Sequence, residues 1–246
     1  LCSITYGQDY LNKIYNTEDG LSDNTITCAM QDKIGFLWFG TYDGLNRFDG
    51  ISFKVYDKKD GLVSTRIRTI FEDSKERIWV GTESIGGLHL LNKNGTFTSY
   101  TNDFVSTDSS VLSICEDQNG NILAGTRNGL YVLLNDKLVT YIPSEKLPHE
   151  HVYSLLLDNN VLWIGTKEGV VKYENGNVTI FNGVKGIIQS IRKGSDGKLY
   201  FGSRDKGLLV LEDGVVKKIQ YILNVSLKDN YNADVYYDMN NNFMIC

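Results

Sequence analysis

LWFGTYDGLNRFDG, residues 37–50, places a Trp, three Gly and two Asp within fourteen positions. Two short apolar runs broken by a polar, Gly-bearing turn read as a tight antiparallel hairpin. The same arrangement returns as IWVGTESIGGLHLL from Ile78, ILAGTRNGLYVL from Ile122, LWIGTKEGVVKY from Leu162 and LYFGSRDKGLLVL from Leu199. Its Gly stands at positions 40, 81, 125, 165 and 202, giving steps of 41, 44, 40 and 37 residues. Five copies must be read as one architecture before any residue is read as a site.

A period of roughly 40 residues with several short strands in each unit is that of a propeller blade. In the first unit, TITCAMQD (25–32), FLWFGT (36–41), LNRFD (45–49) and SFKVY (52–56) are its four strands. The expected fold is therefore all-β: a β-propeller of about five four-stranded blades with a partial sixth, in an incomplete ring over residues 10–246. The blades fall at about 25–56, 66–100, 110–141, 151–181 and 186–219, with a stub at 231–246. LNKIYNTEDGLSDN aligns with SFKVYDKKDGLVST, so Lys13–Tyr15 is expected to be the outer strand of a further blade. First strands packed on both faces should be rich in Ile, Val and Leu. Trp38, Trp79 and Trp163 should fill the wedges between blades, with Leu123 and Tyr200 in that place in the third and fifth units. The Gly after each should admit a close backbone approach.

Composition narrows the possible functions. The chain has 246 residues, 41% hydrophobic and 22% charged, which suits a globular protein with a core. Formal charge is −5 and the basic residues are scattered, whereas phosphate recognition needs a concentrated basic face, so nucleic acid is not the expected partner. No run approaches membrane-spanning length, so no membrane contact is expected of this segment. The four cysteines, Cys2, Cys28, Cys115 and Cys246, show neither metal spacing nor a disulfide framework. The opening residues LCSITYGQD (1–9) suit the tail of a secretory signal peptide, with a lipidated Cys2 as the other reading.

The stretch EDGLSDNTITCAMQDKIGFLWFGTYDGLNRFDGISFKVY closely resembles the two-component regulator propeller repeat, and KDGLVSTRIRTIFEDSKERIWVGT resembles it again. Such repeats read DGL-S-x-N, then D-x-x-G-x-L/I-W-x-G-T, then G-L-x-R-F/Y-D. The resemblance weakens in the third and fifth units, which lack the Trp. It implies the periplasmic sensor region of a bacterial hybrid two-component histidine kinase: a non-catalytic propeller, exported and tied to an inner-membrane parent, that detects an oligosaccharide. Its partners would be the rest of that sensor chain or a second propeller, with a dimer possible; no cofactor is implied. A streptogramin-lyase-like propeller enzyme and a ligand-free protein-interaction scaffold are the competing readings.

Because strands alternate in direction, the turn after each Gly-Thr and the connection into the next blade should share one face. That face carries the variable residues expected of a grafted recognition surface. The ligand-binding candidates are Tyr42, Asp43, Arg66, Arg127, Asn128, Lys167 and Arg204, since aromatic rings and planar donors suit sugars and carboxylates. Glu83, Glu168, Asp205, Asn102-Asp103 and His149-Glu150-His151 lie on the same expected face. His149-x-His151 would need further converging ligands to hold a metal, so no metal site is assigned. The Glu-Asp pairs Glu72-Asp73 and Glu116-Asp117 recur once per repeat, which suits turn chemistry and not catalysis.

Overall fold

A computed structural model describes residues 13–83, 87–100, 110–219, 235–237 and 243–245. The expected segment 1–9 and most of the stub at 231–246 lie outside these residues, as do Asn102 and Asp103. The first blade comprises β1 (Ile26–Gln31), β2 (Leu37–Thr41), β3 (Gly44–Phe48) and β4 (Phe53–Tyr56). The second comprises β5 (Ile67–Glu72), β6 (Ile78–Thr82), β7 (Gly87–Leu91) and β8 (Phe97–Tyr100). The third holds β9 (Val111–Glu116), β10 (Ile122–Thr126), β11 (Gly129–Leu134) and β12 (Lys137–Ile142). The fourth holds β13 (Val152–Asp158), β14 (Val161–Thr166), β15 (Gly169–Glu174) and β16 (Asn177–Phe181). The fifth holds β17 (Ile188–Lys193), β18 (Leu199–Ser203), β19 (Gly207–Glu212) and β20 (Val215–Lys218). Each blade is an antiparallel meander with its strands in sequential order, and the five form a β-propeller. A separate two-stranded antiparallel sheet, β21 (Val235–Tyr237) with β22 (Phe243–Ile245), follows.

First strands set the arc. β1 packs on β5, β5 on β9, β9 on β13 and β13 on β17, and β21 lies against β17 and β18. The core is accordingly divided into one cluster at each of the four junctions between blades, with a smaller one of Tyr200, Leu208 and Val210 on the fifth blade. Trp38, Leu45 and Tyr56 of the first blade meet Ile67, Ile78, Val80 and Phe97 of the second. Trp79 and Leu88 meet Val111, Ile114 and Ala124. Leu123, Leu130 and Val132 meet Val152, Leu155 and Ile164. Trp163 and Val170 meet Ile188, Ile191 and Phe201. Burying one such large side chain contributes about 1.5–3 kcal/mol, so each junction is a substantial share of the stability.

The Gly of each Gly-Thr is required by that packing. A Cβ on Gly81 would sit 2.6 Å from Thr69 Cγ2 and 2.7 Å from the Val111 carbonyl oxygen; on Gly165 it would sit 2.2 Å from Ser154 Oγ and 2.9 Å from the Ile188 oxygen. The first strand of the next blade therefore runs directly over this Gly. The residue paired with each Gly is also small: Cys28, Thr69, Ser113, Ser154 and Ser190. Cys28 is thus the counterpart of Ser113, in a slot that takes only a small side chain. All five first strands also carry a register shift just before this position, a β-bulge that the repeat pattern did not reveal.

Candidate functional site

The turn from second to third strand is built the same way in blades one, three and four. Thr41, Thr126 and Thr166, at the ends of β2, β10 and β14, donate their hydroxyls to the carbonyls of Gly44, Gly129 and Gly169. The same hydroxyls accept the backbone N–H groups of Asp43, Asn128 and Glu168. Gly44, Gly129 and Gly169 have φ of 126°, 113° and 137°, a region that glycine enters without steric cost. The turn backbone is thereby held from below while the two residues between Thr and Gly are left to vary.

The turns of the first and third blades are tied to the connection that enters the next blade, and those of the second and fifth to the connection that enters their own. Gly44 N donates to Thr65 O, Glu83 N to Arg66 O and Gly129 N to Glu150 O, all at 2.8 Å, and Arg204 N donates to Ile187 O at 3.0 Å. This places turn residues and inter-blade residues side by side on one face.

On that face Tyr42, Arg66, Glu83 and Arg127 form a continuous row across three blades. The Arg66 guanidinium lies 4.8 Å from the centre of the Tyr42 ring, a cation–π contact. Arg66 Nη1 is 3.6 Å from Glu83 Oε2, and Arg127 Nη2 is 3.0 Å from Glu83 Oε1. The Glu83 side chain is 16% exposed, against 54% for Arg66 and 35% for Arg127. One sunken carboxylate thus holds two guanidinium groups that face solvent. Farther along, the His149 and His151 rings stand 4.7 Å apart, His149 Nδ1 accepts the His151 N–H at 3.0 Å, and His151 Nδ1 is 3.3 Å from the Tyr153 hydroxyl. Burial lowers the His151 pKa, and the neighbouring His149, Lys167 and Arg127 lower it further against an opposing pull from Glu150.

Of the sequence candidates, Tyr42, Arg66 and Arg127 come together, and Lys167 lies within electrostatic reach of His151. Asn128 sits in the stapled turn beside Arg127, and Asp43 in the corresponding turn of the first blade. Arg204 is exposed in the fifth blade, and its backbone N–H bonds the Ile187 carbonyl in the connection that enters the same blade. Glu83 was seen only as one more variable residue of this face; that it aligns two arginines from different blades follows from the packing of those blades. Tyr153 was missed, because it stands at the bulge of β13 and nothing in the repeat pattern marks that position.

The Glu-Asp pairs also do more than turn chemistry. Asp73 and Asp117 are turn residues, but Glu72 and Glu116 end β5 and β9 and reach the preceding blade. Glu72 accepts the Lys33 N–H at 2.9 Å; Glu116 accepts the Ser74 N–H and hydroxyl, each at 2.7 Å. Among the described residues no group of three His, Cys, Asp or Glu side chains is placed to hold a metal ion. No helix among them is long and apolar enough to cross a membrane.

Fold and face together define a β-propeller with variable residues gathered over one set of inter-blade junctions. Three of its segments match the model of the two-component regulator propeller: residues 20–43, 61–84 and 106–128. The matched segments include the Trp-less third blade, whereas the fourth blade, with Trp163, is outside them. The fourth blade replaces the D-x-x-G turn by a two-residue turn at Asn159-Asn160, with φ of 47° and 66°, and so departs from the repeat where Trp163 does not. A 47-residue stretch, 19% of the chain, is 49% identical to histidine kinase P4 of Formosa agariphila and spans 3% of that protein. Among solved structures, the extracellular domain of a protein assigned as a hybrid two-component system from B. thetaiotaomicron aligns over 95% of this chain and 40% of its own length, with 22% identity and a TM-score of 0.65. Virginiamycin B lyase from Staphylococcus aureus aligns over 80% of this chain and 70% of its own length, with 18% identity and a TM-score of 0.65. The chain thus spans less than half of the two-component protein's domain. At these identities the two structures share a fold with it.

Proposed function

We propose that this chain belongs to the exported sensor region of a two-component regulator and binds an oligosaccharide without chemically altering it. The observation that carries this reading is the Tyr42–Arg66–Glu83–Arg127 row, a pre-aligned set of aromatic and planar polar groups on a repeat known from regulators. Sugar recognition uses such groups: flat rings cover the apolar faces of a pyranose while fixed donors meet its oxygens. Signal output would pass to a kinase region through the rest of the sensor chain or a second propeller. The lyase reading is supported by fold alone, whereas the sensor reading has the repeat match as well.

The same reading extends to the ends of the arc. Tyr15 stands edge-on to Phe53 with ring centres 5.6 Å apart at 81°, as Tyr56 stands to Phe97 at 5.9 Å and 87°. Tyr56 also stacks on Trp38 of its own blade. Residues 13–16 form no strand, but this shared aromatic contact supports Lys13–Tyr15 as taking the place of the outer strand of a further blade. The β21–β22 sheet is assigned as the start of a sixth blade in an open arc.

Thermal melting of the full chain against a panel of neutral and acidic oligosaccharides tests the sensing proposal. A native-state ligand raises Tm with the logarithm of its excess over Kd. A rise that grows with concentration for at least one oligosaccharide is expected. A cooperative melt that no oligosaccharide moves would overturn the proposal.

A further inference from the structure

The connections entering the first, second and fourth blades are capped in one way. Asp23 Oδ1 accepts the Thr25 N–H at 2.6 Å, Ser64 Oγ the Arg66 N–H at 3.3 Å, and His149 Nδ1 the His151 N–H at 3.0 Å. In each connection the acceptor stands three residues before the start of the first strand, at Ile26, Ile67 or Val152. Of these three acceptor types, imidazole is the one that ordinarily changes charge between about pH 5 and pH 8. Once Nδ1 has taken a proton it is a donor and cannot accept the His151 N–H. We infer that the connection entering the fourth blade is an acid-sensitive joint: a proton on His149 Nδ1 ends the cap and loosens the tie between this connection and the turn of the third blade.

The residue between acceptor and donor carries that tie. The Glu150 carbonyl accepts the Gly129 N–H at 2.8 Å, as the Thr65 carbonyl accepts the Gly44 N–H at 2.8 Å. Gly129 closes the turn that presents Arg127 and Asn128, so a displaced Glu150 carbonyl is felt on the candidate face. The surroundings oppose further positive charge. The His149 and His151 rings are partly buried and stand 4.7 Å apart. Among the described residues, Lys167 of the β14–β15 turn and Arg127 of the β10–β11 turn add positive charge at His151, and Glu150 of the connection itself opposes them. On β13 the Tyr153 hydroxyl meets His151 Nδ1 at 3.3 Å. Burial, then His149 and these cations, lower the His151 pKa. A loosened, solvated connection therefore binds protons more readily than the closed one. The closed form is favoured while both rings are neutral, and falling pH draws the equilibrium toward the loosened form.

The test is amide hydrogen exchange of the full chain read by NMR at about pH 7.5 and pH 5, with rates corrected for their intrinsic pH dependence. Protection of the Gly129 and His151 N–H groups should fall at least tenfold at the lower pH. Gly44, whose partner Thr65 follows the Ser64 cap, should keep its protection. His149→Asn sets an amide oxygen where Nδ1 stands, an acceptor that does not titrate, and should abolish the fall. His149→Ala should leave Gly129 and His151 weakly protected at both values. Imidazole nitrogen spectra should find His149 at pH 7.5 with its proton on Nε2. Gly129 protection that does not change with pH would overturn the inference, as would a fall that Gly44 shares or one that His149→Asn preserves. A proton on Nδ1 of His149 at pH 7.5 would overturn it as well. The Gly44 comparison and the tautomer are read in the parent chain, so the outcome does not depend on either variant folding.

Discussion

Trp79 donates its indole N–H to Asp73 Oδ2 at 2.8 Å, so the residue that fills the wedge between blades is fastened to the turn that begins its own strand. Asp73 also accepts the backbone N–H groups of Lys75 and Arg77 and the side chain of Arg77. Trp38 and Asp32 repeat the relationship at 2.8 Å, and Tyr200 reaches Asp196 at 2.9 Å in the fifth blade. In the third blade, with Leu123 at the Trp place, Asn121 takes the free carboxylate oxygen of Asp117 at 2.9 Å. The Asp and the Trp of the repeat are one unit: the turn is organised by the carboxylate, and the carboxylate satisfies the buried indole.

That unit makes Asp73 a pH-sensitive element of stability. Burial alone raises its pKa, but donation from Trp79 and Arg77 outweighs burial and holds the carboxyl below its usual range. A depressed folded-state pKa contributes stability above the unfolded value of about 3.9, which is lost as pH falls through the folded value. Asp73→Asn should therefore lower Tm at pH 7 by several degrees and flatten the loss of Tm as pH falls below about 4. Parallel melts of both proteins across that range check it. An unchanged acid slope in the variant would show that Asp73 contributes nothing to the pH dependence.

Gly81→Ala tests the close approach of neighbouring blades. The added methyl would meet both Thr69 and the Val111 backbone, and overpacking of this kind costs about 1–3 kcal/mol or more. Gly35→Ala is the comparison: its new methyl meets nothing within 4 Å, but φ of 105° leaves a left-handed strain of about 1 kcal/mol. Denaturant melts should rank Gly81→Ala as the more destabilised. The reverse order would mean that blade contact is not what the Gly protects.

Glu116→Ala removes two acceptor contacts that hold the turn at Ser74, at a cost of about 0.5–1.5 kcal/mol. The loss should be local to the second blade's hairpin. Hydrogen exchange is expected to quicken at residues 74–77 while β9 and β10 keep their protection. Faster exchange spread through the third blade would show that Glu116 supports its own sheet instead.

Cys115 is buried, and burial pushes its thiol up to about 11. The thiolate is the reactive form, so at pH 8 Cys115 should resist alkylation in the folded chain. Peptide mapping after iodoacetamide treatment should find Cys115 labelled only in denaturant. Labelling at the native-state rate of an exposed thiol would show that the junction between the third and fourth blades opens readily.

Sequence reading reached the blades because the propeller repeats them. Trp38, Trp79 and Trp163 recur at one point of the unit, and their role as wedge-fillers follows from that recurrence and is what the junction clusters show. The bulge in every first strand was invisible, since its residues Thr27, Arg68, Leu112, Tyr153 and Gln189 share no side-chain type. Cross-blade carboxylates were also out of reach: Glu72 and Glu116 look like partners of the adjacent Asp, and only the stacking of sheets brings them to another blade's turn.

The amino-acid sequence by itself determined the period, the meander within each unit and the face on which variation accumulates, because strand alternation and turn chemistry act over a few residues. Tertiary structure alone decided that Arg66, Glu83 and Arg127 form one cluster. Arg66 and Glu83 belong to the second blade and Arg127 to the third, and only the angle and spacing of successive blades bring the Arg127 side chain within ion-pair range of Glu83.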